Sequence, residues 1–115
     1  MEFQATEKNG FVIVAMEGQV RISTQNDFLD YMNQIFNSYG SRAVLLDMEK
    51  VSYMNSAGIG IIVDTFKKFR DNDGRMVLCN LISDIFRLFE VTKLNRFIEI
   101  YTSVDDAIHK LMLSK

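Results

Sequence analysis

The sequence predicts an α/β fold: a mostly parallel sheet of about five strands, opened by an N-terminal antiparallel hairpin, with about four helices packed on it. Two observations carry that prediction. Asn9-Gly10 separates two short runs of strand-forming residues, and Asn-Gly accepts positive φ at both central positions of a tight hairpin turn. Beyond the hairpin, runs rich in Val, Ile and Leu alternate with segments whose apolar residues recur at helical spacing. Strand-helix alternation of this kind implies crossover connections and hence parallel pairing. At 115 residues the chain has the length of one domain with one core, read here as residues 1–115.

The elements follow in order. Residues 3–6 and 11–16 form the hairpin strands. In the second, Phe11, Ile13 and Ala15 alternate with Val12, Val14 and Met16, so both faces are apolar and the strand belongs in the interior, with Gly18 ending it. Ser23 or Thr24 is expected to cap a helix, with Asp27 as a short capping-box partner. That helix carries the stripe Phe28, Tyr31, Met32, Ile35, Phe36 and Tyr39, and Gly40 stops it. Residues 43–48 read as a strand buried on both sides. A polar corner then leads into a helix that begins near Ser56, carries Ile59, Ile62, Val63, Phe66 and Phe69, and ends at Asp71-Asn72-Asp73-Gly74. A fourth strand covers 76–79. Ser83 or Asp84 caps a short helix bearing Ile85, Leu88 and Phe89, and the fifth strand lies near 97–101. Ser103, with Asp106 three residues on, caps a last helix carrying Val104, Ala107, Ile108, Leu111 and Met112.

Composition removes several function classes. Thirteen basic against fifteen acidic residues leave a net charge of −2, with no electrostatic footprint for nucleic acid. Lys67, Lys68 and Arg70, answered at once by Asp71 and Asp73, read as one solvated helix face. The single cysteine, Cys79, excludes an internal disulfide and sits in an apolar run, so it reads as a small core residue. His109 is the sole histidine, which leaves no His-centred triad or multi-histidine metal site, and no cofactor is implied. The amino terminus lacks the basic and apolar regions of a signal peptide, and no run approaches spanning length, so a cytoplasmic location without membrane contact is expected. Gly-x-Ser-x-Gly is absent around Ser56, and no glycine-rich loop ends in Gly-Lys-Ser/Thr, so neither a hydrolase elbow nor a P-loop is supported.

What remains is the corner Met54-Asn55-Ser56-Ala57-Gly58-Ile59-Gly60. A helix amino terminus leaves N–H groups without intrahelical partners and favours negative charge. Ser56 there can cap the helix while staying exposed, and Gly58 and Gly60, lacking Cβ atoms, let a partner or a phosphate approach the backbone. Read without further context, Ser56 is a cap and the glycines relieve crowding. Asp47, after the buried third strand, invites comparison with a phosphoacceptor aspartate, but the early segment is Glu17-Gly18-Gln19 and Asn80 follows the fourth strand, so the acidic pair and lysine of a receiver domain are missing. Asp47 is instead expected to hydrogen-bond the corner that holds Ser56. Tyr53, Met54, Met48 and Met76 read as core or rim packing.

Asp47, Val51 and the run from Met54 to Gly60 resemble the signature of STAS domains, specifically the bacterial anti-sigma factor antagonists. The likeness extends over the hairpin, Gly18, Val91-Thr92-Lys93-Leu94 and Ala107. It implies the STAS fold and a protein-binding module that sequesters an anti-sigma factor when its motif serine, here Ser56, is unphosphorylated. The implied partners are an anti-sigma factor serine kinase with a histidine-kinase-like ATPase fold, which modifies the serine, and a metal-dependent serine phosphatase, which resets it. Two positions depart from the usual pattern: Asn55 stands where Asp is common, and Gln19-Val20-Arg21 where an acid often follows the glycine. An arginine at that place can hold a phosphate through paired hydrogen bonds. The partner surface is expected to include Arg21, Ser23, Thr24, Met54, Asn55, Ala57, Gly58 and Gly60. A same-fold alternative is a STAS subunit that docks on a transporter ATPase or signalling assembly without phosphorylation. A small phosphoacceptor or nucleotide-binding enzyme is the reading from another class.

Overall fold

The structure, a computed structural model, describes residues 1–113. Its elements are β1 (Glu2–Lys8), β2 (Phe11–Val20), α1 (Gln25–Tyr39), β3 (Ala43–Met54), α2 (Ser56–Asp71), β4 (Arg75–Cys79), α3 (Ser83–Val91), a 3-10 turn (Leu94–Arg96), β5 (Ile100–Tyr101) and α4 (Val104–Leu113). The five strands form one sheet in the order β1-β2-β3-β4-β5. β1 pairs antiparallel with β2, and every other pairing is parallel. The hairpin turns on Asn9 (φ 55°) and Gly10 (φ 84°), the positive pair that Asn-Gly accommodates.

Alternation along the inner strands divides the core. Val12, Val14 and Met16 of β2, Val44, Leu46 and Met48 of β3, and Met76 and Leu78 of β4 face Phe28, Met32 and Ile35 of α1, Ile62 and Phe69 of α2, and Ile85 and Phe89 of α3. Phe11, Leu45, Val77 and Cys79 face Ala107, Ile108 and Leu111 of α4 on the opposite side. Three helices therefore cover one face and α4 the other, and a strand buried on both sides needs the double apolar pattern that β2, β3 and β4 carry.

Several elements differ from the sequence reading. Gly18 does not end β2: it adopts φ 130° inside a strand that continues to Val20, with register shifts on both sides, as a bulge requires. β3 does not stop at Met48 but runs to Met54. Its pairing with β4 ends at Asp47↔Cys79, whereas its pairing with β2 continues through Gly18↔Val51, Gln19↔Tyr53 and Val20↔Met54. The ends of β2 and β3 thus project past β4 as a two-stranded ribbon, and the polar corner shrinks to Asn55. Gly40 occupies the end of α1 in a right-handed conformation (φ −61°), not a left-handed stop.

The caps also differ. Thr24 holds the position before α1 but makes no side-chain cap, and Asp27 lies 3.8 Å from the Met1 ammonium. Neither Ser83 nor Asp84 caps α3, whose flanking residue is Ile82. Ser103 does cap α4, its Oγ accepting from Asp106 N–H at 2.9 Å. The fifth strand is only Ile100–Tyr101, because residues 94–96 coil into the 3-10 turn and leave Phe97 72% exposed. Cys79 is buried as expected, and its thiol is pushed up to about 12 by burial first and by the Asp47 and Asp106 carboxylates second.

Candidate functional site

The ribbon sets the geometry of the site. Where β2 leaves the sheet, the chain turns through Arg21–Thr24 into α1; where β3 leaves it, Asn55 turns the chain directly into α2. The two exits are tied together. Asn55 N–H donates to the Val20 carbonyl at 3.0 Å, and the Asn55 amide donates through Nδ2 to Gln25 Oε1 at 2.9 Å. Asn55 Oδ1 accepts from Gly58 N–H at 2.9 Å and caps α2. One side chain therefore does two jobs: it satisfies a first-turn donor and it fastens the start of α2 to the start of α1.

The expected Ser56 cap is thereby corrected. Ser56 is the first residue of α2, exposed, and the capping oxygen belongs to Asn55. An amide oxygen one residue earlier takes the Gly58 N–H, so the Ser56 hydroxyl is released from structural duty and stands in solvent at the positive end of a 16-residue helix. Asp47 is corrected too. Its Oδ1 accepts from Glu49 N–H at 3.2 Å and from Asn80 Nδ2 at 3.0 Å, fixing the end of β4 rather than the Ser56 corner. The ribbon carries that corner several residues beyond Asp47, out of its reach.

The loop after β2 is ordered by Thr24. Its hydroxyl donates to the Gln19 carbonyl at 2.6 Å and accepts from Arg21 N–H at 2.9 Å, while the Arg21 carbonyl accepts from Thr24 and Gln25 N–H groups at 3.0 and 2.8 Å. The Arg21 side chain is exposed, with Nε donating to Gln19 Oε1 and the guanidinium 5.4 Å from the centre of the Tyr53 ring, within cation–π range. Gln19 also donates through Nε2 to Ser52 Oγ at 3.3 Å. Arg21 is the only charged residue in segments 18–26 and 51–63.

The residues expected on the surface separate into two groups. Arg21, Ser23 and Gly60 are exposed, and Thr24, Asn55 and Ala57 are half-buried around Ser56. Met54 and Gly58 are not available for contact: Met54 is 3% exposed and Gly58 is buried. A Cβ on Gly58 would stand 2.6 Å from Met54 Cγ and 2.8 Å from Val20 Cγ1, whereas one on Gly60 would meet nothing within 4 Å. Gly58 thus lets α2 settle on the ribbon, and only Gly60 leaves backbone open to an incoming molecule. Sequence reading missed Ile22, 87% exposed; Tyr53, read as core or rim packing, lies on the rim, 47% exposed beneath Arg21. The one signal for Ile22 is an isolated apolar residue between Arg21 and Ser23 in a polar stretch.

A model of the STAS domain family matches residues 2–107. The chain belongs to the STAS family. Among relatives, the STAS domain is 46% identical over 55 residues to the anti-sigma-B factor antagonist of Listeria monocytogenes, a match covering 48% of this chain and 48% of that protein, about half of each. It is 29% identical over 94 residues to the anti-sigma-B factor antagonist of Staphylococcus aureus, covering 82% of this chain and 86% of that one. Its fold superposes on the Bacillus anti-sigma factor antagonist SpoIIAA at 16% identity, with a TM-score of 0.75 for the unphosphorylated form and 0.70 for the phosphorylated form. These cover 96% of this STAS domain in both cases, and 96% and 99% of the respective SpoIIAA chains. Among the described residues no helix is long and apolar enough to cross a membrane.

Proposed function

We propose that this STAS domain is an anti-sigma factor antagonist: a binding module that engages an anti-sigma factor through the mouth formed by residues 21–25 and 55–60, with Ser56 as the residue that switches it. The observation that carries this reading is the exposed Ser56 hydroxyl at the start of α2, freed by the Asn55 cap. The names of the Listeria and Staphylococcus relatives support the regulatory role, and the phosphorylated SpoIIAA structure supports a fold compatible with the modification.

The switch is electrostatic. An anti-sigma factor that is itself a serine kinase transfers the γ-phosphoryl group of ATP to Ser56 Oγ. The new O–P bond forms as the bond from the γ-phosphorus to the bridging oxygen breaks, ADP leaves, and the hydroxyl proton passes to a base of the kinase. The product carries about −1.5 to −2 charges at neutral pH. In the free domain the helix terminus and water accommodate that charge. In a closely packed complex it must be desolvated, and an unpaired buried charge is penalised by several kcal/mol (about 3–5). A hundredfold loss of affinity requires only about 2.8 kcal/mol, so the fold need not change. A metal-dependent serine phosphatase reverses the step.

The test is incubation of the domain with ATP, magnesium and the candidate kinase, followed by mass spectrometry and binding measurement. Phosphate on Ser56, its loss in Ser56→Ala, and weakened kinase binding by Ser56→Asp with native circular dichroism are the expected results. Binding without any phosphate transfer favours the docking subunit of a larger assembly instead.

A further inference from the structure

We infer that Arg21 is the intramolecular ligand of phosphorylated Ser56, so that modification both adds charge at the mouth and withdraws the guanidinium from the surface offered to a partner. This rests on the reading of Ser56 as the modified residue, and adds to it a second residue with a distinct role.

Placement comes first. The Val20 carbonyl accepts from Asn55 N–H at 3.0 Å, so Arg21 and Ser56 are each one residue beyond the same bonded pair, on neighbouring exits of the ribbon. The Arg21 main chain is fixed there by three hydrogen bonds, with its N–H on Thr24 Oγ1 and its carbonyl taken by Thr24 and Gln25. Its side chain is held differently. Both of its partners, the Gln19 amide oxygen and the Tyr53 ring, are neutral, and a guanidinium releases such contacts for a dianion that it can grip through two parallel N–H donors.

Charge comes second. Segments 18–26 and 51–63, which carry the mouth at 21–25 and 55–60, contain one charged residue, and it is Arg21. The first carboxylate of α1, Asp27, faces the Met1 ammonium at 3.8 Å. Within those two segments a phosphate on Ser56 therefore has one cation and no anion for company. The N–H groups of Ser56 and Ala57 are not used by the Asn55 cap, whose oxygen is committed to Gly58, and they point the first-turn dipole at the same place. In the unmodified domain Arg21 lies over Tyr53 beside the exposed Ile22, part of the surface a partner touches. In the modified domain it turns inward to the phosphate.

The experiment installs phosphoserine at position 56 during translation, so that no kinase is needed, and follows the phosphorus-31 shift through its second ionisation near pH 6. A guanidinium in contact stabilises the dianion and lowers that pKa. The expected result is a value about half a unit lower in the wild-type background than in Arg21→Gln, with Arg70→Gln, at the opposite end of α2 and about 20 Å away along the helix, matching wild type. Equal values in wild type and Arg21→Gln overturn the inference. A second readout needs no substitution: the Arg21 Nε–H resonance shifts on phosphorylation if the contact forms, and an unmoved resonance counts against it. Failure of any kinase to modify Ser56 defeats the proposed function but leaves this measurement intact, and equal pKa values defeat the Arg21 contact but leave the switch standing.

Discussion

The two glycines of α2 make opposite predictions for one substitution. Replacing Gly by Ala inside a helix is worth about 1 kcal/mol in propensity, and Gly60 collects that gain in full because its Cβ would meet nothing within 4 Å. Gly58 gains the same propensity but places a methyl 2.6 Å from Met54 Cγ and 2.8 Å from Val20 Cγ1. Neither neighbour yields easily. Val20 is 0% and Met54 3% exposed, the β-branched valine is stiff about χ1, and the methionine contact is at mid-chain, with its Sδ also only 3.2 Å away. Overpacking of this kind costs about 1–3 kcal/mol. Gly58→Ala should therefore come out destabilised by up to about 2 kcal/mol after the propensity gain. Gly60→Ala should be stabilised by about 0.5–1 kcal/mol. Urea denaturation followed by circular dichroism measures both, and the two midpoints should fall on opposite sides of wild type. Thermal midpoints should separate likewise, at about 3–6 °C per kcal/mol for a domain of this size. A Gly58→Ala variant as stable as Gly60→Ala would show that α2 does not seat on the ribbon as described.

Other outcomes can be checked alongside. Asn55→Ala removes the α2 cap and the tie to Gln25, and should cost about 1–2 kcal/mol in denaturant unfolding, with hydrogen exchange rising at Gly58 and Asn55 N–H. Thr24→Val keeps the shape but loses the hydroxyl that bridges Gln19 and Arg21; about 1 kcal/mol of stability should go, and loop resonances of residues 19–25 should broaden. Cys79 should resist thiol reagents at pH 8 until the protein unfolds. Its folded-state pKa, raised to about 12 by burial, exceeds the unfolded value near 8.5. Above that lower value the unfolded chain sheds a proton that the native one keeps, so stability falls as pH rises from about 9 towards 12, and Cys79→Ala should flatten that slope.

Much of this was legible in the residues. Asn9-Gly10 fixed the hairpin, and the double apolar pattern of 11–16 and 43–48 placed two strands in the interior. The stripes from Phe28 to Tyr39 and from Ile59 to Phe69 gave the long helices within a residue or two. The ribbon was not legible. Glu49, Lys50 and Ser52 are polar and exposed to water, and only pairing with a bulged β2 makes that stretch a strand. The site was half legible. Ser56 stood out by type and position, but which of two adjacent polar residues caps a helix depends on the extended conformation of Asn55 (φ −83°, ψ 176°), and Ser-or-Asn preference does not decide it. Ile22 escaped because no periodicity assigns a lone apolar residue in a loop to the surface or the core.

The cap on Asn55 has a practical corollary. With the neighbouring hydroxyl idle and the native thiol sealed beneath α4, Ser56→Cys would provide a solitary handle for a fluorophore or spin label. Such a probe would report docking at the proposed mouth from its own rim, on a scaffold whose folding does not lean on the side chain it replaces.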